Sequence, residues 1–132
     1  MVFVDTSVWI EFFRGRNKTL GHEVQDLLDS DGVILAAPVR IEILSGCSRT
    51  TLPTLRRILS ALPVFYPDST TWHRIENWIE KAISVGARFS AADLLIASIS
   101  ADQQSLLWSL DSDFSAMEKL GWLSLYHSRS AS

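Results

Sequence analysis

The sequence holds a single cysteine, Cys47. No disulfide can form within the chain, and a reducing, cytoplasmic setting is expected. The three histidines, His22, His73 and His127, are too scattered for a Cys/His zinc pattern. Positive charge is scarce as well: 12 Lys and Arg stand against 15 Asp and Glu, for a formal net charge of -3. A protein that held nucleic acid through bulk charge alone would be basic. Any such site here must rest on local charge or on bound cations. Long apolar runs are missing too. Val2-Phe3-Val4 is broken by Asp5 and follows no basic stretch, unlike a secretion signal. No run approaches the roughly 20 residues of a membrane span, so no membrane association is expected. Internal repeats, low-complexity tracts and linkers are absent.

What is present suits one domain. A chain of 132 residues that is 47% hydrophobic, with five tryptophans, can cover a core and is unlike a disordered segment. Short apolar runs alternate with longer amphipathic stretches. Strands are predicted at Val2-Phe3-Val4, Val33-Ile34-Leu35, Val64-Phe65, Leu106-Leu107-Trp108 and Leu123 to Tyr126. Helices are predicted from Thr6 to Arg14, His22 to Asp29, Pro38 to Gly46, Leu52 to Leu62, after Asp68 or Ser69 to Gly86, Ala91 to about Ala101, and Asp111 to Leu120. The long helix after Asp68 would bury Trp72, Ile75, Ile79, Ala82 and Ile83 at helical spacing. Strands alternating with helices imply an α/β fold with a parallel sheet covered on both faces. The domain is expected to span residues 1–126, with 127–132 as a flexible polar tail.

Parallel sheets place ligand sites at the carboxyl ends of their strands, and acids occupy those places. Asp5 directly follows the first strand, and Asp111 comes three residues after the fourth. Glu42 lies one turn into the helix after the second strand, and Asp93 sits in the first turn of its own helix. Each has a structural explanation. Asp5 and Asp111 could cap helices, and Asp93 could share a capping box with Ser90. Glu42, flanked by Ile41 and Ile43, reads as an acid at the edge of a buried face that needs a partner. Two carboxylates about 5 Å apart repel by roughly 3 kcal/mol at an effective dielectric near 20. A cluster of them therefore calls for protons or a cation. Oxygen-only ligation suits magnesium or manganese, which can polarise a phosphate oxygen and acidify a water molecule.

At this point the residues carry a resemblance. Val2-Phe3-Val4-Asp5-Thr6-Ser7-Val8-Trp9-Ile10 resembles the opening of PIN-domain ribonucleases, in particular the VapC-like toxins of toxin–antitoxin pairs. Val39-Arg40-Ile41-Glu42-Ile43-Leu44-Ser45-Gly46 resembles their second motif. Asp93-Leu94-Leu95-Ile96-Ala97 resembles the third, and Leu107-Trp108-Ser109-Leu110-Asp111-Ser112-Asp113-Phe114 the fourth. All four occur in order and span nearly the whole chain. The resemblance implies a PIN-like three-layer α/β/α sandwich with a five-stranded parallel sheet, in a homodimer. It implies hydrolysis of RNA phosphodiesters, transfer RNA among the candidate substrates, by metal-activated water. It also implies a cognate antitoxin that fills the acidic groove with a peptide.

Carried over residue by residue, Asp5, Glu42, Asp93 and Asp111 become catalytic metal ligands for Mg2+ or Mn2+. Asp113 becomes a peripheral fifth acid. Thr6, Ser7 and Ser109 become supporting hydroxyls, Ser109 standing where the family commonly has threonine. Arg14, Arg16 and Arg40 are candidate phosphate contacts. Trp9, Phe12 and Phe13 read as packing residues, with base stacking as the functional alternative.

Two alternatives remain open on the residues. One is a different magnesium-dependent α/β phosphohydrolase. A haloacid-dehalogenase-like phosphatase would want an aspartate where Ser7 stands, and a receiver domain would want a lysine after its last strand. The other is an inactive PIN-like module that binds RNA or protein.

Overall fold

A computed structural model of the chain describes residues 1–129. The elements run β1 (Val2–Val4), α1 (Thr6–Arg14), α2 (Lys18–Asp29), β2 (Val33–Ala36), α3 (Ala37–Gly46), α4 (Leu52–Ser60), β3 (Val64–Phe65), α5 (Ser69–Ser84), α6 (Ala91–Asp102), β4 (Leu106–Trp108) and α7 (Ser112–Lys119). The strands form one parallel sheet in the order β3-β2-β1-β4. β1 and β2 are buried along their whole length, as a sheet covered on both faces requires. Phe3, Trp9, Leu35, Leu59, Ile96, Leu107, Phe114 and Met117 fill the core.

The strand order decides where a site can form. The chain steps from β1 to β2 to β3 in one direction, then returns across the sheet to β4. Right-handed crossovers then put α1–α4 on one face and α5–α7 on the other. β1 and β4 are neighbours whose chains leave toward opposite faces. A crevice opens between their carboxyl ends, at the switch point where α/β folds bind ligands. Asp5 follows β1, and Ser109 follows β4.

Several predicted boundaries shift for local reasons. α2 begins at Lys18 rather than His22, because the Asn17 side chain accepts from the Leu20 amide at 3.0 Å and caps it. α4 stops at Ser60 rather than Leu62, since Leu62 precedes Pro63 and is pushed out of helical geometry. α7 starts at Ser112, with Asp111 as its cap. Gly15, at φ 68°, closes α1 in a left-handed conformation that strains any residue with a Cβ.

Two differences are larger. The fifth strand shrinks to one parallel bridge between Leu107 and Leu125, so the named sheet has four strands rather than five. The buried face of α5 is also only partly the predicted one: Ile75 and Ala82 are buried as expected, and the other three are not. Thr71, Ile75, Trp78 and Ala82 face the core, while Trp72, Ile79 and Ile83 are 51%, 42% and 72% exposed. The helix carries two apolar stripes. The inner one is selected by Trp122, which stacks on Trp78 at 4.7 Å, and by the Thr71 hydroxyl, which donates to Asp102 on α6. The expected tail is docked in part: Ser128 and the Arg129 amide bond to Glu23 of α2, and residues 130–132 lie outside the described residues.

Candidate metal centre

Asp5 sits at the N-cap of α1, yet its side chain makes no capping bond. The carboxylate is 5% exposed and is held from elsewhere. Its Oδ2 accepts from Ser7 Oγ at 2.8 Å and from Ser109 Oγ at 2.7 Å. Those hydroxyls are themselves fixed: the Leu110 amide donates to Ser7 Oγ, and the Asp111 amide to Ser109 Oγ, both at 3.0 Å. The Asp5 amide donates to the Trp108 carbonyl at 2.9 Å. Both side-chain bonds land on one oxygen of Asp5, which leaves Oδ1 for another ligand.

Across the crevice, one carboxylate oxygen each from Asp93, Asp111 and Asp113 lie within 4.8 Å of one another. Local structure explains the placement. Ser90 caps α6 through the Asp93 amide at 3.1 Å, which sets Asp93 in the first turn. Asp111 caps α7, its Oδ1 accepting from the Asp113 amide at 2.9 Å. The Asp-x-Asp spacing thus folds two acids into one turn. The helix starts supply partial positive charge to all three, but no cationic side chain reaches them. None of the ion pairs among the described residues involves these acids. Asp93 shows the consequence. Burial raises its pKa to about 6, and the charges of Asp111, Asp5 and Asp113 add to that against the Ser90 hydrogen bond.

Glu42 departs from the expectation. It is exposed rather than half-buried, and like Asp5 it is not one of the three acids whose oxygens lie within 4.8 Å of one another. Thr6 Oγ1 holds its Oε1 at 2.9 Å. Thr6 therefore grips Glu42, while Ser7 grips Asp5. Asp113, expected at the periphery, is inside the group. The chain pattern alone could have signalled this, because a capping aspartate and the residue two positions on are brought together by the cap itself.

The basic candidates are scattered. Arg14 is exposed and pairs with Glu11 at 3.2 Å, a surface contact of small energetic weight. Arg16 is exposed, and Arg40 is partly buried. Trp9 is fully buried; Phe13, stacked on it at 5.7 Å, is partly exposed. Ile10, Phe13 and Arg14 of α1, Glu42 and Ile43 of α3, and Leu55 and Ile58 of α4 line a groove of about 600 Å³. The groove borders the acids at Glu42.

An all-oxygen donor set with no protein counter-charge and one carboxyl pushed up to about 6 fits a hard divalent cation. Asp93, Asp111 and Asp113, with the free oxygen of Asp5, would hold it.

The profile of the PIN domain family matches residues 2–120. The chain belongs to this family. A relative named VapC ribonuclease Mb1587, from Mycobacterium bovis, is 29% identical over 125 residues, covering 91% of this chain and 93% of the relative. Among solved structures, FitAcB from Neisseria gonorrhoeae superposes with a TM-score of 0.76 at 18% identity, over 99% of this chain and 100% of the other. A toxin-antitoxin complex from Klebsiella pneumoniae contains a chain with a TM-score of 0.68 at 14% identity, over 85% of this chain and 88% of that one. Both likenesses carry the fold. The PIN domain assignment agrees with the parallel sheet and with the acids at its carboxyl edge.

Proposed function

We propose that this PIN domain is a magnesium- or manganese-dependent endoribonuclease, the toxin of a toxin–antitoxin pair. One observation carries the reading: three carboxylates within 4.8 Å, beside buried Asp5, with no ion-paired cation among the described residues to balance them. The name of the Mycobacterium bovis relative supports ribonuclease action, and the Klebsiella pneumoniae neighbour supports an antitoxin partner.

The chain's own residues divide the work. Asp93, Asp111, Asp113 and Asp5 would hold the cation, and Ser7 and Ser109 orient Asp5. Glu42, tethered by Thr6, stands at the rim as a further acid that can contact the cation or its hydration shell. A divalent cation supplies a polarised phosphate oxygen and an acidified water. Arg14, on the wall of the groove, with Arg16 and Arg40, offers phosphate contacts. With net charge -3, a bound cation would supply the positive charge that the protein surface lacks for phosphate. The ribose 2′-hydroxyl is not the nucleophile, so products carry 5′-phosphate and 3′-hydroxyl ends. Transfer RNA is one candidate substrate. The apolar groove between α1, α3 and α4 suits an antitoxin peptide. The exposed Trp72, Ile79 and Ile83 stripe of α5 suits a homodimer face. No helix among the described residues is long and apolar enough to cross a membrane. We place the protein in the cytoplasm, with its RNA and antitoxin.

The deciding experiment is cleavage of end-labelled RNA by the purified protein. Cleavage is expected with Mg2+ or Mn2+, to stop on chelation, and to survive a 2′-deoxy substitution at the scissile nucleotide. Cleavage that persists under chelation removes the metal mechanism. Cleavage lost on 2′-deoxy substitution, with binding intact, assigns attack to the 2′-hydroxyl.

A further inference from the structure

Glu23 plays no part in the chemistry proposed above, yet it is buried in the middle of α2 at 2% exposure. A charge so placed needs matching, and the match comes from the far end of the chain. Tyr126 donates its hydroxyl to Glu23 Oε2. Ser128 Oγ donates to Oε1 at 2.6 Å, and the Arg129 amide to Oε2 at 3.1 Å. The Arg129 guanidinium adds a looser pair, Nε to Oε2 at 3.9 Å, and reaches Asp26 at 3.3 Å. Burial pushes the Glu23 carboxyl up. The hydrogen bonds from Ser128, Tyr126 and the Arg129 amide, with the Arg129 charge, outweigh it and hold the group below the usual range.

From Glu23 the contacts lead to the crevice. The Tyr126 ring lies against Trp108 with centroids 5.0 Å apart, and the Tyr126 amide donates to the Leu107 carbonyl at 2.8 Å. Glu23 thereby pins Tyr126 on the last two residues of β4. The Trp108 carbonyl accepts the Asp5 amide. The next residue, Ser109, holds both the Asp5 carboxylate and the Asp111 amide. β4 is three residues long, and among the described residues the bridge at Leu125 is all that pairs with its outer side. An edge so short has little rigidity of its own.

We infer that Glu23 is a positioning residue for the carboxylate site: through Tyr126 and Trp108 it fixes the end of β4 from which Ser109 orients Asp5 and Asp111 joins the acid cluster. The role at the cation rests on the metal-nuclease reading above; the mechanical link to Asp5 does not. A clamp of purely structural value would lower stability everywhere alike. A positioning clamp loosens the β1–β4 crevice ahead of the rest.

The test uses the full chain carrying Glu23→Gln, which keeps the volume and removes the charge. Amide hydrogen exchange is read at Asp5 and, as an internal reference, at Leu35, whose amide donates to Pro63 on the far side of the sheet. Mn2+ binding is read by calorimetry without RNA. Exchange at Asp5 is expected to rise about tenfold more than at Leu35, and Mn2+ affinity to fall about 10- to 100-fold. Equal acceleration at both amides with Mn2+ affinity unchanged overturns the inference. A wild-type chain that takes up no Mn2+ overturns the metal reading instead, and the exchange ratio then decides the link by itself. If Glu23→Gln does not fold, Ser128→Ala removes one donor from the same carboxylate. It should give the same selective pattern at smaller amplitude, and a uniform response there also overturns the inference.

Discussion

Helix α6 carries an aspartate at each end, and the fold treats them in opposite ways. Asp102, its last residue, meets the negative end of the helix dipole, yet it is fully matched. Arg74 of α5 pairs with its Oδ1, and the Thr71 hydroxyl donates to Oδ2. Arg74 is fixed in turn by the Ser98 carbonyl and hydroxyl, both at 3.0 Å. Asp93, at the other end, enjoys the favourable end of the dipole and the Ser90 hydroxyl. Even so, burial and the charges of Asp111, Asp5 and Asp113 lift its pKa to about 6. One acid comes with its own cation; the other comes with more acids. Two acids on one helix therefore separate into a structural brace and a member of a cluster of like charges, and the partners brought by other elements make the difference.

That contrast can be broken by substitution. Asp93→Asn should lower RNA cleavage about 1,000-fold or more, near 4 kcal/mol of transition-state stabilisation, while circular dichroism stays native. Retained cleavage would move Asp93 out of the site. Arg74→Met should do the reverse. It strands Asp102 without its cation and should cost about 3 kcal/mol in urea unfolding, with cleavage per folded molecule unchanged. A large cleavage defect in a well-folded Arg74→Met protein would join the two ends functionally.

Smaller effects sharpen the same comparison. Ser109→Ala removes one of the two bonds that orient Asp5 and should reduce Mn2+ affinity or cleavage about 10- to 100-fold. Ser109→Thr keeps the hydroxyl and should restore most of it. An Ala variant with wild-type metal binding would show that Ser7 suffices. The pH response is the mildest test. Asp93 binds its proton more tightly folded than unfolded, with a pKa of about 6 against 3.8. The stabilisation it contributes is present only while it is protonated. Metal-free stability should thus fall as pH rises through that window and level off above it. The rise in melting temperature on adding Mg2+ should be small near about pH 5 and reach its plateau by about pH 7. A metal shift that ignores pH over that range would detach Asp93 from the cation.

Much of the placement of the acids was legible in the chain because its signals are local. Asp5, Ser109 and Asp111 sit at strand ends, and a strand end is marked by a short apolar run meeting a polar residue. Ser90 and Asp111 announce helix starts through capping chemistry. Other features were not legible, since nothing local distinguishes them. α5 presents two apolar stripes of similar strength, and only packing against α6 and Trp122 buries Ile75 and Trp78 while leaving Trp72 and Ile83 outside. Glu42 sits among isoleucines and reads as an acid at the edge of a buried face, yet α3 turns it outward to Thr6. Leu123 to Tyr126 has the composition of a strand but keeps one bridge, because its backbone bonds to β4 reach Leu107 alone, the Leu125 amide donates to Glu118 Oε2 at 2.7 Å instead, and Tyr126 turns its hydroxyl onto Glu23.

The sequence by itself determined the alternation of strands and helices, the parallel sheet, and the delivery of acids to its carboxyl edge. Those follow from hydrophobic period and capping chemistry, which act over a few residues. Only the tertiary structure decided which acids meet. The return from β3 across the sheet sets β4 beside β1, and that adjacency brings Ser109 to Asp5 and Asp111 and Asp113 to Asp93. It also decided which acids are matched, giving Arg74 to Asp102 and the chain's far end to Glu23. Charge balance at a buried carboxylate is a sum over every element packed around it, and no stretch of sequence contains that sum.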